Sequence, residues 1–120
     1  MAYKDRTKAK LYARQHYEKN KQVYIERAKK FTKLQRIKLR NLIWEYLLQH
    51  PCLDCQETDP VVLQFDHQRD KKFHICDGIR RGLSNKTMLE EIAKCEIRCA
   101  NCHAKKTAKE YGWWKNKLVE

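Results

Sequence analysis

Residues 52–55 read Cys-Leu-Asp-Cys, and residues 99–103 read Cys-Ala-Asn-Cys-His. In each stretch two residues separate a pair of cysteines, a spacing that lets both thiolates reach one metal ion. Two such pairs complete the four sulfur ligands of a closed, tetrahedral zinc site. The spacing therefore predicts a structural Zn²⁺ on which folding depends. The predicted ligands are Cys52, Cys55, Cys99 and Cys102.

Positive charge is concentrated in the first part of the chain. The 120 residues carry 27 Lys and Arg against 15 Asp and Glu, a formal charge of +12. Residues 1–50 hold 14 basic and 4 acidic side chains, whereas residues 51–120 are close to neutral. We therefore predict two domains: a basic, helical nucleic-acid-binding arm over 1–50, and a zinc-bound domain over 51–120.

A polycation of this kind attracts phosphate backbones by counterion release, without regard to sequence. DNA is the expected partner, and RNA is not excluded. A membrane partner is not expected, because the arm lacks one broad apolar face. The N-terminus has no apolar leader, which favours a cytoplasmic protein with reduced thiols. Cys76 and Cys95, outside the predicted site, are interpreted as small buried hydrophobic residues.

The pattern of helix formers and breakers predicts a mainly helical chain of the α+β class. Residues 4–50 contain neither Pro nor Gly, which predicts helix with a break near Asn20. After Pro51 a short β-branched and aromatic stretch predicts a strand, and amphipathic stretches predict helices. The strand is Val61–His67, and the helices are Ile75–Arg81, Lys86–Cys95 and His103–Tyr111.

Two stretches together resemble a known family. Leu63-Gln-Phe-Asp-His67 and Lys94-Cys-Glu-Ile-Arg-Cys-Ala-Asn-Cys-His103 are similar to the HNH endonucleases of bacteria and their phages. In that family a ββα-metal finger carries an Asp-His or His-His pair on its first strand, and a final His or Asn begins the helix. The resemblance covers about half the chain, residues 52–114. It implies a small zinc-stapled ββα-metal (HNH) finger carrying a basic, mainly helical N-terminal arm.

The resemblance implies metal-dependent hydrolysis of DNA phosphodiester bonds, as a nick or a double-strand cut. Asp66 and His103 would hold a catalytic Mg²⁺ or Mn²⁺, and His67 would be the general base. The chemistry of these residue types agrees, because a neutral imidazole suits deprotonation of water and a hard cation prefers an oxygen ligand. One departure is that Lys94 stands where the family has the Asn that braces the loop of the base.

Further basic residues are candidates for phosphate contacts, which position a nucleic acid without reading its sequence. Those near the predicted site are Arg80, Arg81, Lys105, Lys106 and Lys109. Those in the arm are Arg27, Lys30, Arg36 and Arg40.

Two other functions remain open from the sequence. The first alternative is a catalytically inactive, zinc-stabilised nucleic-acid-binding module, with Lys94 filling the metal position. The second is an assembly protein, such as a basic zinc ribbon in a ribonucleoprotein. The oligomeric state, monomer or homodimer, also stays open.

Overall fold

A computed structural model of the chain describes residues 6–117. It is mostly helical, with a two-stranded antiparallel sheet and a cluster of four cysteines, which is compatible with the predicted α+β class. The elements are helix α1 (Arg6–Gln49), a 3-10 turn (Pro60–Val62), strand β1 (Leu63–His67), helices α2 (Ile75–Arg81) and α3 (Asn85–Ile92), strand β2 (Cys95–Cys99), and helices α4 (Ala100–Tyr111) and α5 (Trp114–Lys117).

Helix α1 is continuous over 44 residues, so the predicted break near Asn20 was wrong. Asn20 is accommodated because its side-chain amide donates to the His16 carbonyl oxygen, 2.9 Å away. The helix ends at Gln49, just before His50, whose helical conformation Pro51 disfavours. None of the helices within residues 6–117 has the length and apolar character that crossing a membrane requires.

Contacts divide the chain into two compact units, the first up to Leu34 and the second from Gln35 onwards. In the described part of the first unit, residues 6–34, nearly every side chain is exposed. The second unit includes the last third of α1, because this stretch contributes Leu39, Ile43 and Leu47 to the core. The arm predicted from the sequence, residues 1–50, therefore extends beyond this boundary.

The core of the second unit joins the end of α1, both strands, α2, α3 and the start of α4. Leu39 and Met88 are fully buried at its centre. The other buried apolar residues of the core are Ile43, Leu47, Cys52, Leu63, Ile75, Ile92, Ile97 and Cys99. Burial of each leucine, isoleucine and methionine side chain in this core contributes about 1.5–3 kcal/mol to stability. This burial stabilises the contacts between α1, α3 and the sheet.

The sheet pairs β1 with β2 from Leu63 opposite Cys99 to His67 opposite Cys95. Prediction of a helix as far as Cys95 was therefore wrong: α3 ends at Ile92, and a turn precedes β2. The predicted strand from Val61 begins two residues later, because Asp59 caps a 3-10 turn there. Pairing with β1 places Ile97 in the core, a contact that local helix propensity does not report.

Substitution Leu39→Ala is expected to lower the free energy of unfolding of the zinc-loaded protein by about 3 kcal/mol. Leu39 is 0% exposed, so its truncation leaves a cavity. Leu48→Ala, on the same helix but 56% exposed, is the matched control and should change this energy by less than about 0.5 kcal/mol. Urea denaturation of both variants measures the difference. Equal losses would show that α1 does not pack as described.

Candidate functional site

Four cysteines meet in one cluster: two follow the end of α1, and two lie at the junction of β2 and α4. The sulfur atoms of Cys52, Cys55, Cys99 and Cys102 all lie within 4.8 Å of one another. Burial raises the pKa of Cys52, but backbone N–H groups of Cys55, Cys99 and Asp54 outweigh it and lower this pKa to about 6. A thiolate is the form that binds metal. The predicted cluster is confirmed, and it could hold a structural metal ion such as zinc.

Cys99 also determines where α4 begins. Its sulfur accepts a hydrogen bond from the backbone N–H of Cys102 at 3.4 Å and so caps the helix. The helix therefore starts at Ala100, three residues before the predicted start at His103. The same side chain thus belongs to the four-cysteine cluster and caps the first turn of α4. This position of the helix places His103 on the face toward β1.

Purified protein should contain about one zinc per chain, and Cys55→Ser should lower zinc affinity by at least about 100-fold. Loss of an outer partner of a metal ligand already costs 10–100-fold, and loss of the ligand itself costs more. Cys76 is exposed, so the prediction that it is buried was wrong. Because it lies outside the cluster, Cys76→Ser is the matched control and should retain the metal. Elemental analysis with competitive chelation measures both. Zinc retained equally in the two variants would exclude Cys55 as a ligand.

Asp66 lies at the centre of a buried charge network. Its Oδ2 atom accepts from Arg98 Nη1 at 2.7 Å and from Lys106 Nζ at 2.8 Å. Burial raises the pKa of Asp66, but Lys106, His103 and Arg98 outweigh it and hold the pKa below its ordinary value. Asp66 is therefore a carboxylate at neutral pH, with Oδ2 committed to two cations.

The other oxygen of Asp66 faces His103. Asp66 Oδ1 lies 3.5 Å from His103 Nε2, and His103 Nδ1 lies 2.9 Å from Gln64 Oε1. An amide oxygen only accepts, so Nδ1 carries a proton; when this is the only proton on the ring, the Nε2 lone pair faces the carboxylate. Two acceptors this close attract a cation between them. The structure thus brings together the two side chains predicted to hold a divalent ion.

His67 has different partners, on the opposite face of β1. Its Nε2 lies 3.1 Å from Glu91 Oε1, so the proton of the neutral ring is on Nε2 and Nδ1 is left as the basic atom. Burial and the charge of Lys71 hold the pKa of His67 below its ordinary value, although Glu91 opposes them. The ring is therefore neutral at pH 7, as a general base requires.

Glu91 and Lys94 brace the loop that follows His67. Lys94 Nζ donates to Glu91 Oε2 and to the Asp70 carbonyl oxygen, each at 2.9 Å. Glu91 Oε1 also accepts from the backbone N–H of Lys72 at 2.9 Å. Asp70 adopts a left-handed conformation with φ 41°, which Asp tolerates better than most residues. Lys94 contacts this loop and not Asp66; the lysine beside Asp66 is Lys106.

A groove of about 360 Å³ is lined by both His67 and His103, whereas Asp66, Glu91 and Lys94 are not among its lining residues. Its walls include Gln64 and His103 from one side of β1, and Phe65 and His67 from the other. The sheet has only two strands among the described residues, so one edge of β1 is unpaired and a groove along it can receive side chains from both faces. His67 and His103 thereby line one groove, although adjacent strand residues point to opposite faces.

The remaining predicted basic residues occupy different environments. Lys105 and Lys109 on α4, Arg81 on α2, and Arg27 and Lys30 in the first unit are exposed. Arg36 is half-buried, with Nε donating to the Arg80 carbonyl oxygen at 2.8 Å. Lys106 is engaged with Asp66, as described above.

Two residues of the site were missed from the sequence. Arg98 links Asp66 to Asp54 inside the first cysteine turn, with Nε 2.9 Å from Asp54 Oδ2. Glu91, only 2% exposed, joins His67 to Lys94. The signal for Glu91 was its place one helical turn before Lys94, an i,i+3 spacing that allows an ion pair. Its burial depends on tertiary packing, and no local pattern reports it.

Substitution Glu91→Gln should lower the free energy of unfolding by about 3 kcal/mol at pH 6, because it breaks a buried ion pair. Burial raises the pKa of Glu91, but Lys94 and the Lys72 N–H outweigh it and lower this pKa to about 2. Since this folded-state value lies below the ordinary 4.5, the stabilisation is complete above pH 4.5 and is lost as pH falls toward 2.

The difference in unfolding energy between wild type and Glu91→Gln should therefore shrink below pH 4.5, as measured by denaturation at pH 6, 5, 4 and 3. Glu90→Gln, the exposed neighbour on α3, should match wild type within about 0.5 kcal/mol throughout. A difference that is constant with pH would contradict the buried carboxylate.

No protein-family model, curated protein or solved structure matches the chain.

Proposed function

We propose that the chain is a metal-dependent endonuclease of the HNH type, which hydrolyses phosphodiester bonds of DNA. The observation that carries the proposal is the 3.5 Å approach of Asp66 Oδ1 to His103 Nε2, beside a groove that His67 also lines. Two ligand atoms for one cation and a neutral imidazole base are the groups that hydrolysis of a phosphodiester needs.

The residues present fit a small divalent ion. Two adjacent ligand atoms of an octahedral ion, each about 2.1 Å from it, are separated by roughly 3 Å, so Asp66 Oδ1 and His103 Nε2, now 3.5 Å apart, would have to approach by about 0.5 Å to hold it. His103 also donates a hydrogen bond from its other ring nitrogen, Nδ1, to Gln64 Oε1. Such a bond is the arrangement that orients metal-binding histidines. A bound Mg²⁺ or Mn²⁺ would polarise the phosphate and stabilise the charge that develops on the leaving oxygen.

In this proposal His67 takes a proton from the attacking water. Glu91 holds the proton of the neutral ring on Nε2, which leaves Nδ1 to accept the proton of water. As the imidazolium forms, the carboxylate of Glu91 stabilises its charge. Lys94 and Glu91 together hold the loop after His67, the role that the resemblance assigns to an Asn at the position of Lys94.

Exposed cations would position the substrate. Lys105 and Lys109 lie on the helix that carries His103, and the arm supplies further Lys and Arg residues. Contacts of this kind act on the phosphate backbone of any sequence. We infer a nucleic-acid substrate for this reason, with Asp66 and His103 at the scissile phosphate.

A zinc-stabilised nucleic-acid-binding module without catalysis is the second candidate. The observation that favours it is the engagement of Asp66 Oδ2 by both Arg98 and Lys106. These two cations compete with a divalent ion for the negative charge of Asp66. They therefore lower the affinity of the site for that ion. In the nuclease, Lys106 can retain Gln68 Oε1, 3.3 Å away, and Glu110 Oε1, 3.5 Å away, as acceptors.

The nuclease proposal predicts that the protein nicks supercoiled plasmid in Mg²⁺ or Mn²⁺, and that His67→Ala lowers the rate at least about 100-fold, the usual contribution of a general base. His50→Ala is the matched control, since His50 is exposed and lines none of the groove. Gel electrophoresis measures the rate, and a gel shift in the absence of divalent ions measures binding.

His67→Ala should bind DNA as wild type does, because the ring acts on water and not on affinity. Intact plasmid with every divalent ion tested, together with an unchanged gel shift, would contradict the nuclease and support the binding module. Equal nicking by His67→Ala and wild type would remove His67 as the base.

A further inference from the structure

Three arginines surround a second cavity in the same unit. The cavity has a volume of about 340 Å³ and is lined by Arg36, Arg40, Cys76, Ile79 and Arg80. Arg36 and Arg40 lie one turn apart on α1, and Arg80 is in the last turn of α2. None of the described residues that line this cavity carries a carboxylate, so its walls have an excess of positive charge.

The guanidinium groups are available to a ligand. Arg36 is oriented by its Nε hydrogen bond to the Arg80 carbonyl oxygen. Within residues 6–117, neither the terminal nitrogens of Arg36 nor the guanidinium of Arg40 has a hydrogen-bond or ion-pair partner. Arg80 has only Asp77, at 3.7 Å, and both side chains are largely exposed to water, where such a pair contributes little.

A phosphate fits this arrangement better than a carboxylate does. The guanidinium group presents planar, paired N–H donors that match two phosphate oxygens at once. Three such groups around one cavity offer more donors than a carboxylate can accept, whereas a phosphate has more oxygen atoms to share among them. The chemistry of the cavity therefore points to a phosphate ester or a free phosphate.

The cavity shares a wall with the groove of His67 and His103. Cys76 lines both, so a chain that leaves the groove across Cys76 reaches the three arginines. We propose that Arg36, Arg40 and Arg80 form a subsite for a phosphate of the substrate backbone, beyond the phosphate that is cut. This inference rests on the proposed nuclease for its substrate, but the subsite itself requires only binding.

Cys76 provides a local probe for this subsite. Its thiol is exposed, whereas the four cluster cysteines are expected to bind zinc. Burial, together with the charges of Glu91 and Asp66, raises the pKa of Cys95 to about 11, so Cys95 reacts slowly with alkylating agents. Iodoacetamide at pH 7.5 should therefore modify Cys76 first in the zinc-loaded protein, and mass spectrometry can follow that reaction.

The test measures alkylation of Cys76 in zinc-loaded protein without Mg²⁺ or Mn²⁺, with and without a 16-base-pair duplex. The duplex should slow alkylation at least about fivefold. Arg40→Gln should raise the duplex concentration needed for protection about tenfold, and should lower the slope of log affinity against log salt by about 1. Lys86→Gln, exposed on α3 and outside both cavities, should change the protecting concentration less than threefold.

Two results would overturn the subsite: unchanged alkylation of Cys76 in protein that a gel shift shows to be bound, or protection that Arg40→Gln does not weaken. A third arm uses sodium phosphate alone. If phosphate protects Cys76 through Arg40 and the duplex does not protect it, the cavity binds free phosphate and the backbone subsite is overturned. Protection without plasmid nicking in Mg²⁺ would retain the subsite and reject the nuclease, whereas nicking without protection would do the reverse.

Discussion

The sulfur atom of Cys99 connects the parts of the second unit that matter most for the site. It belongs to the four-cysteine cluster, its residue ends β2 opposite Leu63, and it caps α4 through the Cys102 N–H. A metal ion bound there would restrict the junction of β2 and α4. His103 lies in the first turn of α4, so the position of the cluster determines that it faces Gln64 and Asp66. Loss of the metal is expected to separate these residues before it affects α1.

Buried charges continue this constraint into the groove. Arg98 joins the first cysteine turn, through Asp54, to the carboxylate of Asp66. Glu91 and Lys94 form a second set around His67 on the other face of β1. In each set the removal of one charged partner is costly, since it leaves a buried charge unpaired. His67, of the second set, lines one groove together with His103, which lies beside Asp66 of the first set.

Residue spacing predicted the metal cluster, because two-residue gaps between cysteines have a direct geometric meaning. The absence of Pro and Gly predicted α1, and the break near Asn20 was wrong because Asn20 satisfies its side chain on the helix backbone. The helix predicted as far as Cys95 was wrong because nothing as strong as Gly or Pro marks the turn before β2. Glu91 and Arg98 could not be assigned to the site, since His67 and Asp66, the partners that place them there, lie 24 and 32 residues away. Asp66, His67 and His103 came from the resemblance, and their roles stay predictions.

The central claim is that Asp66 and His103 hold a divalent ion beside His67. The most direct test is a crystal structure of the zinc-loaded protein with Mn²⁺ and a short oligonucleotide, with anomalous scattering measured at the manganese and zinc edges. We expect zinc among the four cysteines and manganese between Asp66 Oδ1 and His103 Nε2, with a phosphate of the oligonucleotide in contact with the manganese. Manganese absent from this position, with Lys106 and Arg98 still neutralising Asp66 beneath a bound oligonucleotide, would contradict it.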